Sequence, residues 1–278
     1  MELIVARSRE DLVKARRTGP VALVPTMGAL HEGHRSLIRQ ARVRADQVVV
    51  SIFVNPLQFS PNEDFSRYPR TFDADLDVCR GEGVDVVFHP AVEDMYAADR
   101  QISISSGEMG RIVEGAFRPG HFDGMLTVVL KLFNLVQPDL AVFGQKDAQQ
   151  LALIRRMVAD LDLPIEILGA PTVREPDGLA LSSRNRYLSD DDRRVALALS
   201  RALRAGAAQL TPGEIRASAR AVLDEAGPEL DVDYLALVDP ATFVEVSDSY
   251  QGMAVLAVAA RVGTTRLIDN VTLTLNPA

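Results

Sequence analysis

The sequence contains one cysteine, no tryptophan and only four histidines among 278 residues. The single thiol, Cys79, cannot form a disulfide within the chain and excludes a cysteine-rich zinc module, so we interpret it as a small core residue. No run approaches the ~18 consecutive apolar residues that a membrane span needs. Thirty basic residues against 38 acidic ones give a net charge of −8, which argues against binding to a nucleic-acid duplex. The first residues also show no signal-peptide pattern, so we expect a cytoplasmic protein that binds neither membranes nor nucleic acid.

The first two-thirds of the chain alternates strand-like and helix-like patterns. Apolar runs of strand length occupy residues 21–26, 48–55, 84–90, 140–147 and 164–175. Helical periodicity occupies residues 34–46, 124–138 and 148–162. Strand, loop and helix in this order predict an α/β fold with a Rossmann-like parallel sheet over residues 1–172. In such a sheet, ligands bind at the carboxyl ends of the strands.

The remaining residues, 173–278, follow a different pattern. Ser189 is a predicted helix N-cap with acids after it, and Thr211 before Pro212 predicts the start of a second helix. Three strand-like runs follow at residues 232–239, 253–263 and 265–275. Two helices and then three strands predict a second, smaller α+β domain with an antiparallel sheet.

The strongest motif is PTMGALHEGHRSLI at residues 25–38, where a strand ends and a helix begins. His31 and His34 are three residues apart, so both imidazoles can lie on one face of the helix start, where free N–H groups favour phosphate. Zinc is the alternative, because HEGH resembles half of a metalloprotease site, although that site needs histidines four apart and a third ligand. A purely structural role is the third interpretation, and phosphate is the one we favour.

Two further segments carry groups suited to phosphate. FGQKDAQQL at residues 143–151 again joins a strand end to a helix, with Lys146 as a mobile charge and Asp147 as an acceptor for ribose hydroxyls. GLALSSRNRYLS at residues 178–189 brings serine hydroxyls and the Arg184 guanidinium together between the two predicted domains. Taken alone, the first segment is better interpreted as a solvated loop, whereas Arg184 and Arg186 make a plain linker the less favoured interpretation of the second.

A fourth segment, residues 51–78, follows the second predicted strand. Asn55 and Gln58 are neutral amides that suit a substrate with hydroxyl and carbonyl groups. Asp73, Asp75 and Asp77 are spaced two apart, and in a helix they spread over its surface. For these acids we favour a solvated face over a metal-binding cage.

The ordered motifs PTMGALHEGH, SIFVNPLQF, FGQKDAQQL and PTVREPDGLALSSRNRYL closely resemble the pantoate–β-alanine ligase family. This family belongs to the HIGH-type nucleotidyltransferase group, and the resemblance covers essentially the whole chain. It implies a homodimer whose smaller carboxyl-terminal domain acts as a lid. It also implies that pantoate, activated by ATP as pantoyl adenylate with release of pyrophosphate, condenses with β-alanine to give pantothenate and AMP.

The resemblance implies roles for individual residues, matched motif by motif. The catalytic group would be His34 with His31, Lys146 and Arg184. The predicted ATP-binding residues are Thr26, Met27, Gly28, Ala29, Leu30, His31, Glu32, Gly33, His34, Gly144, Gln145, Lys146, Asp147, Val173, Leu181, Ser182, Ser183 and Arg184. The predicted substrate-binding residues are Asn55, Gln58, Tyr68, Arg118 and Gln150.

Three positions depart from the family pattern. Leu181 stands where methionine is common, and Gln145 stands where glutamate is common. Ala74 interrupts a pair of adjacent acids that holds magnesium in some members, so here we expect Mg²⁺ to be held mainly by ATP phosphates and water. Three other functions remain open: a nucleotidylyltransferase for another small molecule, a tRNA-binding synthetase relative, which the acidic balance disfavours, and a non-catalytic nucleotide sensor.

Overall fold

A computed structural model describes residues 2–61 and 63–275 of the chain. Its larger sheet is parallel throughout and has the strand order β1-β4-β3-β2-β5-β6. The strands are β1 Ile4–Ala6, β2 Val21–Thr26, β3 Gln47–Ile52, β4 Val86–Phe88, β5 Leu140–Gly144 and β6 Glu166–Ala170. The predicted Rossmann-like fold is therefore confirmed, with one short edge strand, β1, that the sequence pattern did not reveal.

Helices connect these strands and cover both faces of the sheet. They are α1 Arg9–Ala15, α2 Glu32–Arg42, α3 Phe72–Gly81, α4 Val92–Met95, α5 Glu114–Phe117, α6 His121–Val136 and α7 Ala148–Asp160. One core cluster contains α6 and α7 side chains, and another contains α2 and α3 side chains. Burial on both faces explains why the strands are continuous apolar runs in the sequence. None of the described helices is long and apolar enough to cross a bilayer.

The carboxyl-terminal part consists of two helices and an antiparallel sheet. The elements are α8 Asp190–Ala207, α9 Pro212–Asp224, β7 Leu230–Val238, β8 Gly252–Val262 and β9 Thr265–Leu275, in the sheet order β7-β8-β9. Ser189 and Thr211 cap the two helices through capping boxes, as their sequence positions predicted. The smaller α+β unit is confirmed, and the boundary predicted at residues 172 and 173 falls between β6 and α8.

Sheet topology fixes where a ligand can bind. The chain runs outward from β2 to β3 and β4, then returns to pair β5 on the other side of β2. The strand order therefore reverses between β2 and β5, and the loops after these two strands separate to leave a crevice. Both histidines of the HEGH motif follow β2, and Lys146 follows β5.

Candidate active site

A cavity of about 230 Å³ lies in this crevice. Its walls include most of the residues that the sequence predicted. These are Thr26, Met27, His31, His34, Asn55, Gln58, Tyr68, Arg118, Gly144, Lys146, Asp147, Gln150, Leu181, Ser182, Ser183 and Arg184. Four motifs far apart in the sequence therefore meet around one space, which no single motif could show.

The start of α2 holds the two imidazoles close together. His31 is the N-cap, and its Nδ1 accepts a hydrogen bond from Gly33 N at 3.1 Å. The Nδ1 atom of His34 accepts from His31 N at 3.3 Å. Since each Nδ1 is an acceptor, each neutral ring carries its proton on Nε2. The ring centroids lie 4.1 Å apart, so the site presents two adjacent Nε2–H donors.

Both imidazoles are neutral at physiological pH. Burial lowers the pKa of His31 to about 4, and the positive charge of Lys146 acts in the same direction. Burial also lowers the pKa of His34 to about 3, with His31 and Lys146 contributing to the shift. The rings can therefore donate hydrogen bonds to phosphate oxygens but do not add full positive charges.

Three predicted residues, Gly28, Ala29 and Leu30, do not line the cavity, and their backbone N–H groups are bonded within the protein, that of Gly28 to Thr26 Oγ1. Asp75 Oδ2 accepts from Ala29 N at 3.0 Å, and Asp75 Oδ1 accepts from Leu30 N at 2.7 Å. Gly28 adopts a φ of +83°, and a Cβ there would lie 3.0 Å from Asp75 Oδ2. The segment shapes the loop that leads to His31 and contributes no side chain to the walls.

The solvated-face interpretation is wrong for Asp75, although it holds for its exposed neighbours Asp73 and Asp77. Asp75 is only 2% exposed because α3 turns it towards the loop after β2. No local pattern points to this contact, since 46 residues separate Asp75 from Ala29. Because Asp75 is one of three evenly spaced aspartates, nothing in the sequence distinguishes it as the carboxylate that holds the HEGH loop.

Glu32 and Gly33 are also outside the walls, for different reasons. Glu32 is exposed on α2 and pairs with Arg39. A Cβ on Gly33 would lie 2.8 Å from Cε1 of His31, so the absence of a side chain makes room for the imidazole. Gly33 therefore supports the site sterically and through the N–H that it donates to His31.

Gln145 and Val173 complete the set that does not line the cavity. The side chain of Gln145 turns towards β6 and donates to Gly169 O at 3.2 Å. The carbonyl of Val173 accepts from Leu181 N at 3.0 Å, so its oxygen already has a partner within the protein. Contact between the Val173 backbone and adenine stays a prediction.

Arg118 and Arg184 are each paired with a neighbouring acid of one loop. Arg118 makes two hydrogen bonds to Glu63, at 2.8 and 2.7 Å. Arg184 makes two to Asp64, at 3.1 and 3.0 Å. Burial would raise the pKa of each carboxyl, but its arginine partner holds the pKa below the usual value. The loop between β3 and α3 is thereby tied to both guanidiniums that the sequence placed in the site.

His121 is a cavity residue that sequence reasoning missed. It starts α6 directly after Arg118-Pro119-Gly120, and this position at a helix start was the available signal. Its Nδ1 lies 2.8 Å from Gln58 O, and its Nε2 lies 2.9 Å from Nη1 of Arg118. Since arginine can only donate, Nε2 accepts and Nδ1 carries the proton. Burial lowers the pKa of His121 to about 4, with Arg118 acting in the same direction.

The amide residues of the fourth motif form a turn beneath the cavity. Asn55 is 1% exposed and donates to Gln58 Oε1 and to Gly124 O, both at 3.0 Å. Its Oδ1 accepts from Tyr96 at 2.8 Å. Asn55 therefore bonds within the protein and holds the side-chain amide of Gln58 in place. Tyr68 is buried in the wall, and burial raises the pKa of its phenol.

One wall is apolar and was not predicted. It combines side chains of α6 with one from the middle of α2, one from β5 and one from the residue after β3. Its members are Leu37, Phe53, Met125, Val128, Val129, Leu132 and Phe143. The sequence marked α6 as buried but could not show that one of its faces meets a ligand cavity.

The described residues do not supply the ligands that the zinc interpretation of HEGH requires. Both Nδ1 atoms already accept backbone N–H groups. Across residues 2–61 and 63–275, no group of three or more histidine, cysteine, aspartate or glutamate side chains could hold a metal ion. Asp75, the acid left beside Ala74, uses both oxygens on backbone N–H groups. These residues do not fit a protein-ligated metal.

A Rossmann-like crevice with an HxGH helix start and a facing lysine defines a nucleotide-binding α/β enzyme of the HIGH type. Comparison with known families is more specific, because the model of the pantoate-beta-alanine ligase family matches residues 4–272. The chain belongs to this family. That membership disfavours the tRNA-binding, sensor and general nucleotidylyltransferase alternatives.

Individual relatives agree with this assignment over nearly the full chain. A pantothenate synthetase of Thermobifida fusca is 63% identical over 98% of this chain and 96% of its own. The crystal structure of pantothenate synthetase from Thermus thermophilus superimposes with a TM-score of 0.93 at 46% identity, covering 99% of this chain and 100% of the other. A ligase from Francisella tularensis, complexed with beta-gamma ATP and beta-alanine, has a TM-score of 0.80 at 35% identity, covering 97% of each chain.

Proposed function

We propose that this chain condenses pantoate with β-alanine at the expense of ATP, giving pantothenate, AMP and pyrophosphate. The observation that carries the proposal is the pair of Nε2–H donors on His31 and His34, which share one cavity with Lys146. Donors and a positive charge facing one space suit a triphosphate. A carboxylate is a poor acyl donor, and adenylation gives it a good leaving group.

In the first step, a carboxylate oxygen of pantoate attacks the α-phosphorus of ATP, and the bond to pyrophosphate breaks. We place the phosphates between the start of α2 and Lys146, because negative charge builds up there as the bond breaks. Ser182, Ser183 and Arg184, which line the same cavity, would donate to the outer phosphates. The rings of His31 and His34 donate without first losing or gaining a proton.

In the second step, the amine of β-alanine attacks the acyl carbon and AMP leaves with the oxygen that joined the two. The apolar wall beneath the imidazoles suits the branched, methyl-bearing carbon chain of pantoate. Gln58 and Gln150 line the same cavity and can bond the pantoate hydroxyls. Exclusion of water around the acyl adenylate would protect it from hydrolysis, which is the role we propose for the carboxyl-terminal domain as a lid.

Magnesium belongs to the proposal as a companion of ATP. When bound to the phosphates it would supply charge neutralisation for the departing pyrophosphate. The side chains nearest that region are donors and cations, with Asp147 as an exposed acid at the cavity rim. We therefore propose that Mg²⁺ enters as MgATP, held by phosphate oxygens and water.

The resemblance also leads us to propose a homodimer that works in the cytoplasm. Sedimentation equilibrium tests the assembly, because a dimer has twice the 30.3 kDa mass of one chain. A mass that stays at that of one chain at micromolar concentration would contradict the dimer without affecting the proposed reaction.

An isotope experiment tests the reaction itself. Pantoate labelled with ¹⁸O in its carboxylate is incubated with ATP, Mg²⁺ and β-alanine, and the products are analysed by mass spectrometry. The mechanism transfers one labelled oxygen to AMP and leaves the other in the amide of pantothenate. ADP as the only nucleotide product, or unlabelled AMP, would contradict an acyl adenylate.

Omitting β-alanine separates the ligase from a nucleotidylyltransferase. With ATP and pantoate in excess over enzyme and no amine present, a ligase stops after about one adenylate per site. A nucleotidylyltransferase would instead accumulate an adenylylated product over many turnovers, and it would ignore added β-alanine.

A further inference from the structure

The antiparallel sheet reaches the proposed nucleotide-binding crevice through one side chain. Asn270 lies on β9, opposite Ala257 of β8, and is 7% exposed. Its Nδ2 donates to Lys146 O at 2.7 Å and to Gln145 O at 3.0 Å. Both bonds cross from the carboxyl-terminal sheet to the loop after β5.

The orientation of this amide is fixed by its partners. Both acceptors are carbonyl oxygens, so only the NH₂ side of Asn270 can face them. The neighbouring Asp269 is held by Arg174 through bonds of 2.6 and 2.9 Å, and its Oδ1 accepts from Asn270 N at 2.8 Å. The side chain of Asn270 therefore projects from a part of β9 whose backbone is held by Asp269 and Arg174.

The loop that receives these bonds, residues 144–147, is anchored on its other side by β6. Gln145 N donates to Ala170 O at 2.8 Å, and the Gln145 side chain donates to Gly169 O. Asn270 holds the carbonyls of residues 145 and 146 from the opposite direction. With its backbone fixed on both sides, Lys146 projects its side chain into the cavity.

We propose that Asn270 is a positioning residue for adenylation, which holds the backbone of Lys146 so that its ammonium group meets the ATP phosphates. This inference rests on the proposed role of Lys146. It makes the carboxyl-terminal sheet part of the ATP site, although the described walls of the cavity come from residues 25–184. A displacement of about 1 Å in a charged group can reduce a reaction rate many-fold.

The competing view is that Asn270 only joins the two parts of the chain. Tyr234 offers a matched control, because its hydroxyl donates to Glu114 Oε2 at 3.1 Å and also links the antiparallel sheet to the larger unit. Tyr234 lies outside the walls of the nucleotide cavity. Tyr234→Phe removes one linking bond and leaves the hydrogen bonds from Asn270 to the loop intact.

The test compares Asn270→Asp, Asn270→Ala and Tyr234→Phe in the full-length protein. Asn270→Asp keeps the size of the side chain but turns an acceptor towards two carbonyls, and Asn270→Ala removes the donors without adding charge. Both should raise the KM for ATP and lower single-turnover adenylation by about tenfold or more. The second half-reaction, measured with preformed pantoyl adenylate and β-alanine, should remain near wild type. Tyr234→Phe should leave both half-reactions near wild type.

A double-mutant cycle with Lys146→Ala decides whether Asn270 acts through Lys146. If it does, Asn270→Ala should have an effect of no more than about twofold once Lys146 is already alanine. Equal fold-changes in both backgrounds, or wild-type adenylation in folded Asn270→Ala, would overturn the inference. Wild-type adenylation in Lys146→Ala would instead contradict the proposed function, so the two failures are distinguishable.

Discussion

The parallel and antiparallel sheets contribute to the candidate active site in different ways. The strand ends, loops and helices of the parallel-sheet part, together with the connecting segment up to Arg184, supply the described walls of the cavity. The antiparallel sheet supplies backbone support through Asn270 instead. Parallel strands bring their carboxyl ends, and thus their polar loops, to one edge, whereas an antiparallel sheet alternates its ends.

The contact between the parallel-sheet part and the carboxyl-terminal part, called the seam below, contains both apolar and charged side chains. One face of the antiparallel sheet packs on α8 and α9, while Ala236, Val255 and Ala257 pack with Ala152 of α7. Beside them, Arg266 donates to both oxygens of Glu114 at 2.6 and 2.9 Å. Changes at these apolar and ion-pair residues should affect stability first, whereas changes in the cavity or at Asn270 should affect adenylation first.

The largest effect is expected at the seam, for Glu114→Gln. Burial would raise the pKa of Glu114, but the hydrogen bonds and charge of Arg266 hold it below the usual value, so the carboxylate is ionised at neutral pH. Removing that charge leaves Arg266, which also bonds Asp233, with less compensation. We expect the free energy of unfolding in urea to fall by about 3–5 kcal/mol.

Tyr234→Phe is the control for this change, because it removes only a neutral donor to the same carboxylate. It should lower the free energy of unfolding by about 0.5–1.5 kcal/mol. A Glu114→Gln protein as stable as the control would show that the ion pair contributes nothing beyond an ordinary hydrogen bond.

The largest effect in the cavity is expected for His34→Ala. The variant loses one Nε2–H donor to the phosphates, which should slow single-turnover adenylation by about 10²–10³-fold. It also loses the acceptor for His31 N, so stability should fall by only about 1 kcal/mol. Rapid-quench measurement of AMP-containing product and a thermal unfolding curve together separate the two effects. Unchanged adenylation would remove His34 from the mechanism.

A smaller effect is expected for Lys146→Ala. The variant loses a charge-assisted contact of about 1.5–3 kcal/mol, which should appear in kcat/KM for ATP. Lys146→Arg retains the positive charge and should recover part of the loss. Wild-type kinetics of the alanine variant at all ATP concentrations would refute the contact.

Asp75→Asn tests the support of the loop after β2. The loss of free energy should be no larger than that expected for Lys146→Ala. An amide retains one acceptor but turns an NH₂ group towards a backbone N–H, so the loop after β2 loses a hydrogen bond. We expect a loss of about 1–3 kcal/mol in the free energy of unfolding and a raised KM for ATP. Asp73→Asn changes an exposed acid on the same helix and should alter neither quantity. Equal behaviour of the two variants would contradict the role of Asp75.

These comparisons also show what the sequence could predict. Strand ends followed by Gly28 or Gly144 and a helix located the two proposed nucleotide segments at the crevice, because strand, loop and helix obey local rules. The caps Ser189 and Thr211 were equally local. Strand β1, with only three residues, was missed because it is too short for a periodic pattern.

Residues that act across long separations were not predictable in the same way. Asp75, His121 and Asn270 reach their partners across 46, 63 and 124 residues. Their contacts depend on how α3, α6 and β9 pack on the loops, and no local spacing encodes that packing. Sequence motifs therefore located most of the polar groups that face the cavity, whereas the apolar wall, His121 and the side chains that hold those groups required the fold.

The sign of the pH dependence of stability follows from the three lowered histidine pKa values. Native His31, His34 and His121 have pKa values of about 4, 3 and 4, against 6.5 in the unfolded chain. At pH values between the native and the unfolded pKa values, the unfolded state binds more protons than the native state. The free energy of unfolding therefore falls as the pH drops below about 6.5. Urea unfolding from pH 7 to pH 4 should show this loss, and His121→Gln should reduce its slope.

The smallest effect is expected for adenylation itself across neutral pH. Because His31 and His34 are already neutral above pH 6, their ionisation should change the single-turnover rate by less than about twofold between pH 6 and pH 8. Rates measured in the folded enzyme, with MgATP and pantoate saturating, provide the test. An inflection near pH 6.5 that disappears in His34→Ala would mean that a charged imidazole, and not a neutral donor, serves the phosphates.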